Sequence, residues 1–325
     1  MIVQQTYTIP LKRKPSFDET PVVNFASFSS QPPVIYSIEH ATSYRYSAPI
    51  HHSKHLFRLQ PVQDQLQTVL DYRFSLSAKA ANVANFSGVF GNIASFVEIQ
   101  EHYHNLTILS QSIVAISTIP KNLELMHQPR TMPLIWMPWD RQMMAAYLQP
   151  PELAESELFE LAGFAMSFVE KNHHDVFAVL EEINRTIYKE FTYQVGSTTL
   201  CTTPYEVYKQ KKGICQDFAN LFICLARLLD IPARYRVGYL YTGETYGNKE
   251  QGDATHAWAE VFLPYVGWVG FDPTNGCLAE ENHIRVACGR YYKDATPTSG
   301  AIFSAENEVK EELFTSVKVH RLDLQ

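Results

Sequence analysis

No CxxC pair occurs in the 325 residues, and the five cysteines, Cys201, Cys215, Cys224, Cys277 and Cys288, are odd in number. That spacing argues against a disulfide framework and a structural zinc site and suits a reducing, cytoplasmic setting. No apolar run reaches the ~18 residues that cross a bilayer, so no membrane is expected as a partner. The opening stretch MIVQQTYTIPLKRKPSF holds no continuous apolar core, so no signal peptide is expected. The formal net charge is −7, and nothing suggests the extended basic patch of a nucleic-acid footprint. An EF-hand calcium loop, an internal repeat and a low-complexity run are all missing. What remains builds a core: 46% hydrophobic and 13% aromatic residues exclude a disordered chain. The length suggests about two domains.

Residues 1–33 carry Pro10, Pro15, Pro21, Pro32 and Pro33 and the linker-like FASFSSQPP, which marks an N-terminal extension. Between 34 and 120 short alternating runs follow one another. Tyr36, Ile38 and His40 alternate with Ser37 and Glu39, and Tyr72, Phe74 and Leu76 with Arg73 and Ser75. Such runs between polar turns predict a β-sandwich. Residues 121–151, rich in proline and bearing Trp136 and Trp139, read as a connecting segment. Helical periodicity takes over in 152–280: Leu158, Leu161, Ala162 and Ala165 share one face, as do Phe177, Leu180, Ile183, Asn184 and Ile187. A third stripe, Phe218, Leu221, Phe222, Leu225, Leu228 and Leu229, starts at or near Cys215 and stops before Ile231-Pro232. The strands ARYRVGYLY, HAWAEVFL and GWVGF follow. Helices first and a sheet afterwards predict an α+β core. Residues 281–325 end in LFTSVKVHRL, whose alternation predicts a strand that closes onto one of the sheets.

The stretch KKGICQDFAN sets Cys215 after a glycine and at a helix start. A thiol attacks carbonyls as thiolate, and free cysteine has a pKa of ~8.5. Unpaired N–H groups and the dipole at a helix N-terminus favour an anion, and the same groups can hold an oxyanion. Gly213 is expected to let the chain turn into the helix and to leave space beside the sulfur. A base must lie close, and His256 heads an alternating strand. Asp272, in GWVGFDPTNG, is the candidate to orient the imidazole. If the hairpin loop holds three residues, 264–266, opposing numbers sum to an even total. His256 then faces Thr274 and lies diagonal to Asp272, within reach of side chains, with Gly267 at a left-handed position. An even loop would put the two on opposite faces.

Cysteine, histidine and aspartate in this order, with these flanks, resemble the transglutaminase-like superfamily of papain-fold cysteine enzymes. The matching segments are FTYQVGSTTLCTTPYEVYKQKKG, KKGICQDFANLFICLARLLDIPARYRVGYL, DATHAWAEVFLPYVGWVGFDPTNG and HIRVACGRYYKDATPTSG. YSIEHATSYRYSAPI, HLFRLQP, GNIASFVEI and HNLTILSQSIVAI resemble the β domain that bacterial members carry in front of that core. The resemblance spans about residues 34–325. It implies helices packed on an antiparallel sheet, no cofactor, and a peptide or protein amide as substrate. It also implies an acyl-thioenzyme made by Cys215 as nucleophile, with His256 as general base and acid and Asp272 as the orienting acid. Hydrolysis is favoured over cross-linking. The alternative is an inactive interaction protein on the same fold, against which the presence of all three residue types argues. Where similar sequences read GRDY this chain reads Gly289-Arg290-Tyr291-Tyr292, which leaves the pairing of Arg290 open.

Simpler roles compete at several positions. Asp217 in the first helical turn complements the dipole. Gln216 approaches the substrate through its backbone N–H more readily than through its side chain. Trp258 is a packing aromatic beside the site or a wall of the acyl tunnel. Tyr193 is a candidate oxyanion donor, with core packing as its competitor. His51, His52 and His55, the alternating His102 and His104, and the pair His173-His174 suggest metal ligation, but no third ligand accompanies the HxH pair, so no metal is expected.

Overall fold

Period-two alternation makes the first third of the chain a set of strands, and the computed structural model describes residues 5–8, 32–117, 131–243, 254–306 and 308–322. In chain order come β1 (Gln5–Thr8), β2 (Val34–Ile50), β3 (His52–Phe57), β4 (Gln67–Leu76), β5 (Ala80–Ser87), β6 (Ile93–Ile99) and β7 (Tyr103–Ile116). Helices α1 (Pro138–Met143), α2 (Ala145–Leu148), α3 (Glu155–Lys171) and α4 (Val176–Glu190) follow. Then β8 (Thr192–Tyr193), α5 (Pro204–Gln210), β9 (Lys212–Gly213) and α6 (Cys215–Leu228) lead to β10 (Ala233–Leu240), β11 (His256–Leu263), β12 (Gly267–Asp272), β13 (Cys277–Leu278) and β14 (His283–Gly289). Helix α7 (Tyr292–Ala295) and strands β15 (Thr298–Phe303) and β16 (Glu311–Leu322) end the described chain.

Two sheets form the β domain, one in the order β1-β4-β7-β2-β16 and one in the order β15-β3-β6-β5. Tyr44, Tyr46, Phe57, Phe74, Leu76 and Ile108 are among the side chains packed between them. The chain's end therefore completes the domain built by its beginning: β16 runs antiparallel to β2 from Glu311↔Tyr46 to Leu322↔Ile35. Of the N-terminal extension, Gln5–Thr8 pairs with β4; residues 9–31, including Val22, Val23 and Phe25, lie outside the described residues, as do 121–130 of the connecting segment. Strand β7 runs through both the Leu106–Leu109 and the Ile113–Ile116 runs without a break.

The second unit is α+β. Its sheet has the order β13-β12-β11-β10-β14, with every neighbour antiparallel. The core therefore runs past residue 280, because β14 pairs with β10. Helix α6 packs on β10 and β11, and its stripe Phe218, Leu221, Phe222 and Leu225 is buried. Each such side chain contributes about 1.5–3 kcal/mol when fully removed from water. The helix ends at Leu228, ahead of the left-handed Asp230 and the Ile231-Pro232 step that cannot continue it. Tyr36, Ile38, Val114 and Val317 of the β domain join the same core as α3, α4 and α6, so the two units share apolar packing.

Candidate active site

Helix α6 begins at Cys215, with Ile214 extended before it. Asp217 closes the first turn: its Oδ2 accepts the Ile214 N–H at 2.8 Å and the Thr198 hydroxyl at 2.6 Å. This is a cap, a local role beyond the dipole complement expected for Asp217. The need for Gly213 lies here as well. A Cβ at 213 would stand 2.8 Å from Asp217 Cβ and 3.2 Å from Phe218 Cε1, so the glycine makes room for the capping carboxylate rather than for space beside the sulfur. The N–H groups of Asp217 and Phe218 go to Ile214 O. Helix geometry leaves those of Cys215 and Gln216 without intrahelical acceptors, and both residues line a cleft of about 190 Å³.

Strands β11 and β12 are joined by residues 264–266, with Leu263 opposite Gly267 and Ala259 opposite Phe271. Gly267 has φ +90°, the left-handed position expected for it, and Tyr265 has φ +65°. The even register puts His256 and Asp272 on one face. Asp272 Oδ2 accepts the His256 Nε2–H at 2.7 Å, and Cys215 lines the same cleft as the His256 ring. His256 and Asp272 are both buried, whereas Cys215 is partly exposed. Burial alone would lower the His256 pKa. The Asp272 charge and hydrogen bond, with Cys215, outweigh it and raise the value to about 10. For Asp272 burial pushes upward, and the two imidazoles hold it well below the usual carboxylate range.

Asp272 is satisfied on both oxygens. Oδ1 takes the N–H groups of Thr274 at 3.0 Å and Asn275 at 3.2 Å. Oδ2 takes, besides His256, Asn275 Nδ2 at 2.7 Å and His283 Nε2 at 3.0 Å. His283 Nδ1 accepts the Glu280 N–H at 3.3 Å, so its proton sits on Nε2 and is donated to Asp272. His283 and Asn275 were not anticipated from the sequence. His283 is the first residue of β14, and only the return of the chain after β13, from one edge of the sheet to the side of β10 at the other, brings it to Asp272. Donor atoms of His256, Asp272 and His283 lie within 4.8 Å of one another, a spacing that suits a metal. Their mutual hydrogen bonds account for the same spacing.

Of the other candidates, Gln216 lines the cleft. Trp258 does not: its ring lies behind His256, stacked at 6.1 Å and 27°, and edge-on to His283 at 5.1 Å. It is a backing for the two imidazoles, not a tunnel wall. Tyr193 packs edge-on against Phe218 at 6.4 Å and is outside the cleft lining, so its place is with the core. Two other phenols do line the cleft, Tyr235 and Tyr292, held edge to face at 6.1 Å. Arg290, whose pairing the motif left open, bonds Asp294 through Nε at 2.9 Å, and the Tyr291 ring lies under the Arg227 guanidinium at 4.5 Å.

Among known families, the model of the transglutaminase-like superfamily matches residues 163–273, and that of the bacterial transglutaminase-like N-terminal region matches 36–115. A Mycobacterium tuberculosis (strain ATCC 25618 / H37Rv) relative, "Uncharacterized protein Rv2569c", is 34% identical over 292 residues, covering 84% of this chain and 90% of its own. The Mycobacterium leprae (strain TN) relative "Uncharacterized protein ML0607" is 27% identical over 269 residues, covering 81% and 91%. The crystal structure of "a Putative Cysteine Protease from Cytophaga hutchinsonii" superposes with a TM-score of 0.72 at 21% identity, covering 91% of this chain and 93% of that one, which shows a shared fold. By sequence and by fold, then, the chain belongs to the transglutaminase-like superfamily, in the form that carries the bacterial N-terminal β region.

Proposed function

We propose that the protein is a thiol-dependent amide hydrolase or acyl transferase working through Cys215, His256 and Asp272. The observation that carries this reading is a partly exposed cysteine at a helix start that shares a cleft with a buried imidazole, itself bonded to a carboxylate with both oxygens occupied. In it, Cys215 Sγ attacks the carbonyl carbon of an amide. The oxyanion is held by the N–H groups of Cys215 and Gln216 at the head of α6. His256, protonated at neutral pH, passes its proton to the departing amine as the C–N bond breaks, leaving an acyl-thioenzyme. Water then attacks the thioester, His256 takes its proton, and the thiol leaves with a free carboxylic acid as product. An amine in place of water would give cross-linking. We favour water, because Cys215 is partly exposed to solvent. Asp272 fixes the tautomer, presenting the second ring nitrogen of His256 to the sulfur.

The test is a peptide library incubated with wild type and Cys215→Ala, with and without added amine, and read by mass spectrometry. Products gaining one water in wild type alone support hydrolysis, and amine adducts support transfer. Equal product from the alanine variant would remove the thiol from the reaction.

A further inference from the structure

The wall of the cleft that faces the sulfur comes from the β domain, and it is built without charge. Strand β2 turns one face inward along Tyr36, Ile38, His40, Thr42, Tyr44 and Tyr46, all buried. Tyr36 and Ile38 join the core of the catalytic unit, and Tyr44 and Tyr46 join the sandwich core. Between them, where the two cores part, the strand carries a polar pair, and His40 and Thr42 both line the cleft. The neighbouring β16 sets Thr315 opposite Thr42 and Leu313 opposite Tyr44. Leu313 and Thr315 also line the cleft. Leu313 is 53% exposed, an apolar side chain left open beside the sulfur's cleft.

His40 is locked by Tyr239 OH at 3.0 Å on Nδ1 and Thr42 Oγ1 at 2.9 Å on Nε2. Burial lowers its pKa to about 4, so the ring is neutral at pH 7. Among the described residues lining the cleft, none is Asp, Glu, Lys or Arg. A charged side chain packed on this wall would leave water and meet no counter-charge in it, and the one cationic ring lining the cleft, His256, is already paired with Asp272. An uncharged one meets Leu313 and Val237 on its apolar parts and the hydroxyls of Thr42, Thr298 and Thr315 on its polar ones.

We infer that this wall selects an uncharged polypeptide segment next to the scissile amide, with Leu313 and Thr315 of the C-terminal strand as the specificity residues. The inference rests on Cys215 being the nucleophile, as proposed above. It assigns a substrate-reading role to residues far outside the part of the chain that matches the superfamily core.

Peptidyl chloromethyl ketones test it without a known substrate, because Cys215 Sγ displaces chloride and keeps the peptide as a thioether. Probes bearing Leu, Gln, Asp or Lys beside the ketone are reacted with the full chain as wild type, Leu313→Asp, Thr315→Asp and Leu313→Ile. Each rate is divided by that protein's iodoacetamide rate at Cys215, a reagent too small to need the wall. The Leu and Gln probes are expected to react at least tenfold faster than the Asp and Lys probes in wild type. Leu313→Asp should raise the Lys-to-Asp probe ratio at least tenfold, and Leu313→Ile should keep the wild-type order. Wild-type rates within twofold of one another overturn the inference, as do unchanged ratios in both aspartate variants when circular dichroism shows them folded. Failure of iodoacetamide to label Cys215 at all would instead remove the thiol reading, and the inference with it.

Discussion

Replacing Asp272 by asparagine keeps the side chain's size and removes its charge, and the surroundings leave the amide no good orientation. Oδ1 receives the N–H groups of Thr274 and Asn275, so the amide oxygen stays on that side. The new NH₂ then points at three groups that now donate: His256 Nε2, His283 Nε2 and Asn275 Nδ2. His283 cannot change tautomer without giving up the Glu280 N–H. His256 can do so only by moving its proton to the nitrogen that serves the sulfur. Breaking a buried ion pair by removing one partner costs about 3–5 kcal/mol, and a wrong imidazole tautomer lowers catalysis on the order of ten-thousandfold. Asp272→Asn is therefore expected to unfold at markedly lower urea and to label slowly at Cys215 with iodoacetamide between pH 6 and 7. The assay is the labelling rate against pH, with urea unfolding followed in parallel. A variant with the wild-type rate profile and the wild-type urea midpoint would refute the reasoning.

Three further outcomes follow from the same geometry. His283→Leu deletes one charge-assisted hydrogen bond from a buried carboxylate, a loss of about 1.5–3 kcal/mol, and His283→Gln, which retains an N–H donor, should recover part of it and restore the labelling profile; equal behaviour of the two variants would show that His283 only fills space. The His256 pKa is raised from 6.5 to about 10, so its contribution to stability is full below about pH 6.5 and disappears as pH climbs through about 10, whereas that of the depressed Asp272 is lost only in strong acid. The urea stability of wild type relative to His256→Gln should therefore shrink between pH 7 and 10, and a difference that grows with pH contradicts the assignment. Gly238→Ala would set a Cβ 1.9 Å from Ile284 O and 2.8 Å from Trp258 Cη2, and should destabilise the protein by ~3 kcal/mol, read as a lower urea midpoint; a neutral effect would mean that β10 and β14 do not meet at this bulge.

What could be read before folding was local. The start of α6 at or near Cys215 follows from the apolar stripe that opens at Phe218. The β11–β12 register follows from the length of one loop, and period-two alternation is enough to identify β2 and β4. What could not be read depends on contacts between distant segments. His283 looks like any polar residue at the head of a strand, because its meeting with Asp272 is set by β14 pairing with β10 on the far side of β11. Trp258 shares a strand face with His256, but sequence does not say whether a neighbour opens toward the cleft or closes behind the ring. The alternation of β16 announced a strand and not its partner: Leu313 and Thr315 reach the cleft only because β16 pairs with β2, nearly three hundred residues earlier in the chain. Gly213 was expected to ease the turn and leave space beside the sulfur, whereas the group that needs its missing Cβ is Asp217.

The most direct measurement is to catch the acyl-enzyme. Wild type turning over a peptide selected from the library is quenched in acid within milliseconds, digested, and mapped by mass spectrometry. The account predicts an acyl group on Cys215, lengthened in lifetime by His256→Gln and missing from Cys215→Ala. An adduct on another cysteine, or turnover by Cys215→Ala at the wild-type rate, would contradict it.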